Sequence, residues 1–270
     1  MTWAAASLVA ALAVATPAAA RVVGATAGTA RLPVVATPFP RRVVGAGTGE
    51  ERSSDGRPHG RAVARRPRAR PALLVRVPRD LVVRARPRAD ASAIGFVPSA
   101  SKYYHVPVTA WVETVSENGR WGRVELPYVS PRRDGWIRLN GLARSSTAIA
   151  VDVDLSAHRL TVTRGDRKQF SFPAATGATG SPTPPGEYFV TDRIAFPGGG
   201  PLGSFAFGIS GTQPHLPAGW SGGNQLAIHG TTNPRSIGTS ASAGCVRVSE
   251  IALARLRPLL RLGTPVVIHA

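Results

Sequence analysis

The chain is 270 residues long, 43% hydrophobic but only 6% aromatic, with 29 glycines, 24 prolines and a formal net charge of +18. So few aromatics beside so many turn formers exclude a protein of long helices and predict short strands with stretches that build no core. The length holds about two domains of 100–200 residues, and one cysteine excludes an internal disulfide.

The chain opens MTWAAASLVAALAVATPAAA, where only Thr2, Ser7, Thr16 and Pro17 interrupt the apolar residues. The small residues Ala18, Ala19 and Ala20 suit a signal peptidase site, so residues 1–20 are predicted to be a signal peptide or membrane anchor. Export follows. Residues 21–72 contain GATAGTA, ATPFPRR and GAGTGEERSSDGRPHG and show neither helical nor strand periodicity, which predicts a disordered linker. Residues 147–270 carry ten Lys/Arg against six Asp/Glu, so +14 of the +18 lies upstream. Its densest part, GRAVARRPRARPALLVRVPR at 60–79, reads as a solvated, self-repelling tract. The same charge suits a polyanion, and an exported chain meets anionic membrane or cell-wall polymer before nucleic acid. Residues 147–270 hold little of the basic excess and no nucleic-acid-binding motif appears, so no nucleic-acid partner is expected.

From Leu73 the pattern changes to short apolar runs between turns. LVVRA (81–85), VTAWVET (108–114), WGRVEL (121–126) and DGWIRL (134–139) alternate as half-buried strands do. Asn118-Gly119 and Asp134-Gly135 read as turn dipeptides. About five short strands predict a small barrel over residues 73–144. The Trp-Gly strand followed by a Gly-Trp-Ile strand resembles a bacterial SH3-like domain. Trp111, Trp121 and Trp136 are assigned to core or half-core positions, with a peptide-binding surface as the other reading.

Residues 147–270 form the third segment. In AIAVDVDLSAHRLTVTRG, Ile149, Val151 and Val153 share one face, Leu160 and Val162 share one face of the next strand, and Ser156-Ala157-His158 makes the turn. FSFPAATGATGSPTPPGEYFVTD gives a strand, a Gly/Pro loop and another strand; LAIHG (226–230) and TPVVIHA (264–270) are further strands. In SEIALARLRPLLRLG, Ser249 is the predicted N-cap and Glu250 favours the first turn, while Pro258 breaks the helix and Gly263 ends it. The predicted class is mainly all-β with one short helix.

The single thiol, Cys245, ends the glycine-rich stretch HGTTNPRSIGTSASAGC. His229 sits at a strand end and Cys245 at a loop-to-helix junction, two places from which side chains can be aimed at one another. A neighbouring imidazole is expected to lower a thiol that otherwise titrates near 8.5. Gly244 allows close backbone approach, so the amides of Gly244 and Cys245 are expected to face a developing oxyanion. No cluster of Cys, His and carboxylate has metal-ligand spacing, and no metal or organic cofactor is expected.

PTPPGEYFV (182–190), AIHGTTNP (227–234), Ile237-Gly238, SAGCVR (242–247) and the terminal GTPVVI resemble the motifs of the L,D-transpeptidase (YkuD) catalytic domain. The resemblance implies a β-sandwich-like fold with Cys245 as nucleophile, His229 as general base and the Gly230 carbonyl orienting the imidazole. Asp and Glu are absent from 193–249, which suits a base held by backbone. The common Ser-His-Gly-Cys is here Ser242-Ala243-Gly244-Cys245, a change that bears on rate or substrate contact. Ser242 and Arg247 are assigned to substrate binding, the guanidinium gripping a carboxylate; a surface pair with Glu250 is the equal alternative for Arg247. The implied activity is 3→3 cross-linking of peptidoglycan stem peptides through a cysteine thioester, in the wall or at the outer face of the membrane, with carbapenems as covalent inhibitors. Its alternatives are a carboxypeptidase or hydrolase on the same scaffold, and a decayed cell-wall binding protein.

Overall fold

The structure, a computed structural model, describes residues 71–270; the predicted leader and the predicted linker up to residue 70 lie outside the described residues. Eight short strands come first: β1 (Ala72–Arg76), β2 (Leu81–Arg84), β3 (Ala93–Val97), β4 (Thr109–Val112), β5 (Thr114–Val115), β6 (Trp121–Glu125), β7 (Asp134–Arg138) and β8 (Arg144–Thr147). They form a sheet of order β3-β2-β7-β6-β5 and a second of order β4-β1-β8. Val75, Val83, Val108, Ala110, Val124, Ile137 and Leu139 make their shared core. Trp121 is buried and Trp111 and Trp136 are half-buried, as their alternation requires.

Two details differ from the sequence reading. The run 108–114 is two strands, because the chain changes sheets at Glu113: β4 pairs with β1 and β5 with β6. Asp134-Gly135 is no turn. It opens β7, with Glu125 opposite Asp134 and Val124 opposite Gly135. Glycine is needed at 135 for space, since a Cβ there would stand 2.7 Å from the Arg84 carbonyl oxygen and 2.6 Å from Val83. Asn118-Gly119 is the turn expected, with Gly119 at φ 67°.

The remaining strands are β9 (Ile149–Asp154), β10 (Arg159–Arg164), β11 (Arg167–Pro173), β12 (Thr176–Gly177), β13 (Gly186–Ala195), β14 (Phe205–Thr212), β15 (Gln225–His229), β16 (Ser240–Ser242), β17 (Val246–Arg247) and β18 (Pro265–His269). Helix α1 (Glu250–Leu256) precedes β18. Eight of them run in the order β11-β10-β9-β18-β13-β14-β15-β17, and the pair β12-β16 stands apart. β13 is the joint: Gly186–Phe189 pairs with β18, and from Val190 onward it pairs with β14. Both halves then bury apolar side chains in one core, from Val151, Val153, Leu160 and Val162 to Phe207, Ile209 and Ile228. β14 is buried along all eight residues, so FAFGISGT carries no alternation from which a strand could be read. In α1 the Ser249 hydroxyl accepts from the Ala252 amide at 3.2 Å, and Ala252, Leu253 and Leu256 face the core.

The two sets of strands are keyed together. Phe189 of β13 is 1% exposed and belongs to the core of the first eight strands. Beside it the Ser210 hydroxyl donates to the Glu125 carboxyl, the Phe189 amide donates to Ser210 Oγ at 3.0 Å, and the Tyr128 amide donates to the Ser210 carbonyl at 2.7 Å. Burial pushes the Glu125 carboxyl well above its usual range. Arg132 reaches across, donating to the Glu187 carbonyl at 2.8 Å while pairing with Glu113 and Asp134.

Candidate active site

β15 alternates: Leu226 and Ile228 point into the core, while Gln225, Ala227 and His229 point the other way. β17 pairs with it in parallel, Ile228 beside Val246 and His229 beside Arg247. Val246 therefore faces the core with Ile228, and Cys245 and Arg247 share the open face with His229. Neighbouring strands lie about 4.8 Å apart. Fifteen residues of separation in sequence are thus closed by one strand pairing, and all three side chains border one cleft of about 400 Å³.

His229 is 3% exposed and its Nδ1 lies 2.6 Å from the Gly230 carbonyl oxygen. A carbonyl only accepts, so Nδ1 carries the proton and Nε2 keeps its lone pair. Burial, aided by the charge of Arg247, lowers this imidazole to about 4 against the pull of the Gly230 carbonyl. It is neutral at pH 7.

Cys245 is partly buried, and its thiol lies 3.9 Å from the Gln225 carbonyl, to which it donates. Burial pushes the thiol up; the Ala227 amide and the Arg247 charge pull it down, by less. The expectation of a lowered thiol is corrected: desolvation outweighs the neighbouring charges, and the histidine beside it bears none. Both partners rest uncharged.

The loop before Cys245 is held by its own polar groups. The Gly244 amide donates to Ser242 Oγ at 3.0 Å, and Ser242 Oγ donates to the Cys245 carbonyl at 2.6 Å. Two assignments change accordingly. Ser242, at 3% exposure, is spent on the loop and does not border the cleft, and the Gly244 amide is already engaged in place of facing an oxyanion. Gly244 is required for another reason: its φ is +116°, and a Cβ would strike Gln213. Gln213 in turn donates to the Ser181 and Pro182 carbonyls at 3.2 and 2.9 Å, tying the PTPP loop to the site.

Arg247 is half-buried in the cleft wall; its Nη1 donates to the Ala241 carbonyl at 3.3 Å and its Nε has no partner. The alternative pairing with Glu250 is overturned, because that carboxylate accepts from the amide and hydroxyl of Ser204. Sequence reasoning missed Gln225 and Ala227, which the period of two from His229 would have found. It also missed Tyr103, Tyr104 and Trp220, whose rings border the cleft. The motif tryptophans 111, 121 and 136 do not. Among the described residues no group of three or more His, Cys, Asp or Glu is placed to hold a metal.

A thiol and a neutral imidazole that border one cleft, the imidazole held by a backbone carbonyl, are the groups that nucleophilic catalysis with a general base requires. Residues 148–268 match the family model of the L,D-transpeptidase catalytic domain, YkuD. The YkuD protein of Bacillus subtilis is 33% identical over 119 residues, 44% of this chain and 65% of that protein, so the chain spans less than two thirds of its length. The YkuD protein of Bacillus licheniformis is 29% identical over 173 residues, 61% of this chain and 97% of that one. Among solved structures, an L,D-transpeptidase from Mycobacterium tuberculosis aligns at 18% identity and TM-score 0.41, covering 70% of this chain and 77% of its own. The L,D-transpeptidase LdtMt1 in complex with imipenem aligns at 18% and 0.38, covering 70% and 78%. Residues 148–268 are thus similar to the L,D-transpeptidase catalytic domain, YkuD.

Proposed function

We propose that this chain is an exported L,D-transpeptidase that forms 3→3 cross-links between peptidoglycan stem peptides through a thioester on Cys245. The observation that carries the reading is the shared face of β15 and β17, which presents Cys245, His229 and Arg247 to one cleft. His229 Nε2 takes the thiol proton as Sγ attacks the carbonyl of the third stem residue. Because both groups rest neutral, that proton moves as the C–S bond forms, with no standing ion pair. The C–N bond to the terminal D-alanine breaks and its amine takes the proton from His229. The acceptor amine then attacks the thioester, gives its proton to His229, and the thiolate leaves and is reprotonated. With the Gly244 amide engaged, the Cys245 amide is the donor proposed for the oxyanion.

Arg247, half-buried in the cleft wall with Nη1 held by the Ala241 carbonyl, is the carboxylate anchor. Ala243 borders the cleft as a methyl group, so it shapes contact with substrate and leaves the proton path to His229. The first eight strands are an SH3-like module; the antiparallel pairing of Trp121-Gly122 with Ile137-Arg138 supports this. The leader exports the chain and the basic linker holds it on anionic wall polymer. Carbapenems acylate Cys245, since a strained amide needs only the same nucleophile and base.

Mass spectrometry on mixtures of the protein with tetrapeptide-stem muropeptides tests this. The expected result is a transient acyl adduct on the Cys245 peptide and 3→3 dimers, both lost in Cys245→Ser, with His229→Ala slowed about 10²- to 10⁴-fold. Free D-alanine with tripeptide and no dimer would make it a carboxypeptidase; no adduct with muropeptide or carbapenem would make it a wall-binding protein.

A further inference from the structure

The cleft that holds Cys245 is not built by residues 148–268 alone. Its far wall comes from the loop between β3 and β4, which brings Tyr103 and Tyr104 against Trp220, Gly222, Gly223 and Asn224. That loop is a tight hairpin. The Ser101 amide donates to the Val106 carbonyl at 2.8 Å, the Val106 amide to Ser101 Oγ at 3.1 Å, and the His105 amide to the Ser101 carbonyl at 3.1 Å. Its tip is fastened to the other domain: Tyr103 Oη donates to Asn224 Oδ1 at 3.0 Å and accepts from the Asn224 amide at 3.4 Å. Gly223 lies so close that a Cβ would stand 2.9 Å from the Tyr103 ring. Yet the rings stay partly open. Tyr103 is 39% exposed, Tyr104 40% and Trp220 49%.

Three large rings left open together, on a rigid mount, are a poor use of apolar surface unless something covers them. They are continuous with the thiol and the imidazole, so what covers them is part of what reacts. Among the described residues bordering the cleft the only charged group is Arg247, and Lys102 Nζ lies over the Tyr103 ring, 5.2 Å from its centroid. A cation in the cleft wall and another on the Tyr103 ring suit a peptide that carries carboxylates. A space of about 400 Å³ lies within the range that encloses a ligand several residues in extent.

We infer that Tyr103 and Tyr104 are substrate-contact residues, a wall lent by the first domain on which the donor stem peptide lies away from its scissile bond. The inference rests on the function proposed above. It makes the first domain part of the substrate site. Contacts remote from the reacting carbonyl act on a long donor and are largely unused by a compact one.

The test compares two acyl donors on the full chain: a tetrapeptide-stem muropeptide and imipenem. Tyr103→Ala and Tyr104→Ala should each lower kcat/KM for the muropeptide about tenfold, chiefly through KM. The rate of imipenem adduct formation should fall at least fivefold less. Tyr103→Phe, which keeps the ring and loses the Asn224 bond, should stay within about threefold of wild type on the muropeptide. Equal losses on both donors would mean that the tyrosines only brace the loop at 213–224, and no loss on the muropeptide would remove them from the site; either overturns the inference. A wild-type protein inert to both donors would instead overturn the proposed function, and this wall with it.

Discussion

The contact between the first eight strands and the later sheet has two ends of opposite character. At one, the dry end, Phe189, Ser210 and Glu125 are each at most 1% exposed. At the other, Tyr103 bonds Asn224, and Tyr103, Tyr104 and Trp220 stay 39%, 40% and 49% exposed beside the cleft that holds Cys245. The two sets of strands are therefore joined where packing fixes their relative position and open beside Cys245. Fusion at the first end is what gives the second a defined width, since a wall on a loosely joined domain would not hold its place. The ionisable groups tell the ends apart as well. Burial raises the carboxyl of Glu125 and lowers the imidazole of His229, so each is kept neutral, but against opposite excursions of pH.

The largest effect is expected from opening the dry end. Phe189→Ala removes a ring from the core of a domain that its own strand does not belong to, and should cost about 3–5 kcal/mol in denaturant unfolding. Much of a domain's stability of about 5–15 kcal/mol would go with it. A loss below about 1 kcal/mol would show that the seam is not packed.

His229 comes next. Its folded value near 4 lies below the ordinary 6.5, so its neutral form stabilises the fold fully above pH 6.5. That contribution is lost as pH falls towards 4, on the order of 3 kcal/mol in all. Melting curves at pH 7 and pH 4.5 should show His229→Gln losing less on acidification than wild type. Parallel losses would mean that the imidazole is not buried.

Glu125 should give the smallest effect, with the opposite sign. A carboxyl raised above its unfolded value stabilises most below about 4.5, and the benefit fades as pH rises through its folded value. Glu125→Gln should therefore lose less stability than wild type between pH 5 and pH 8, with melting temperature at pH 8 unchanged or slightly higher. A variant less stable at pH 8 than at pH 5 by the wild-type margin would place the ionised carboxylate in the fold.

Much of this was legible residue by residue. Ile149, Val151 and Val153, then Leu160 and Val162, announce two strands because one face of each is buried and the chain alternates. Ser249 announces the helix because its hydroxyl has a fixed local duty. Other features were hidden for reasons equally physical. β14 is buried on both faces and so does not alternate, and Gly135 is a glycine for want of room in a strand and not for a turn. Ser242 sits in the family motif, but its hydroxyl is used up within the loop, which no spacing reveals.

What the sequence determined by itself was the chemistry available: one thiol, a histidine ending the strand before its loop, glycines where backbone must come close, and a segment of recognisable motifs. Local order and residue type suffice for that, because propensity, periodicity and capping act over a few residues. Only the tertiary structure decided the state and the company of those groups. The thiol is raised and not lowered because of what surrounds it on every side. Glu250 bonds Ser204, 46 positions away in the chain, while Arg247 bonds the Ala241 carbonyl. Tyr103 meets Asn224 across 121 positions. Desolvation and long-range contact depend on which surfaces end up facing each other, and the chain must fold before that has an answer.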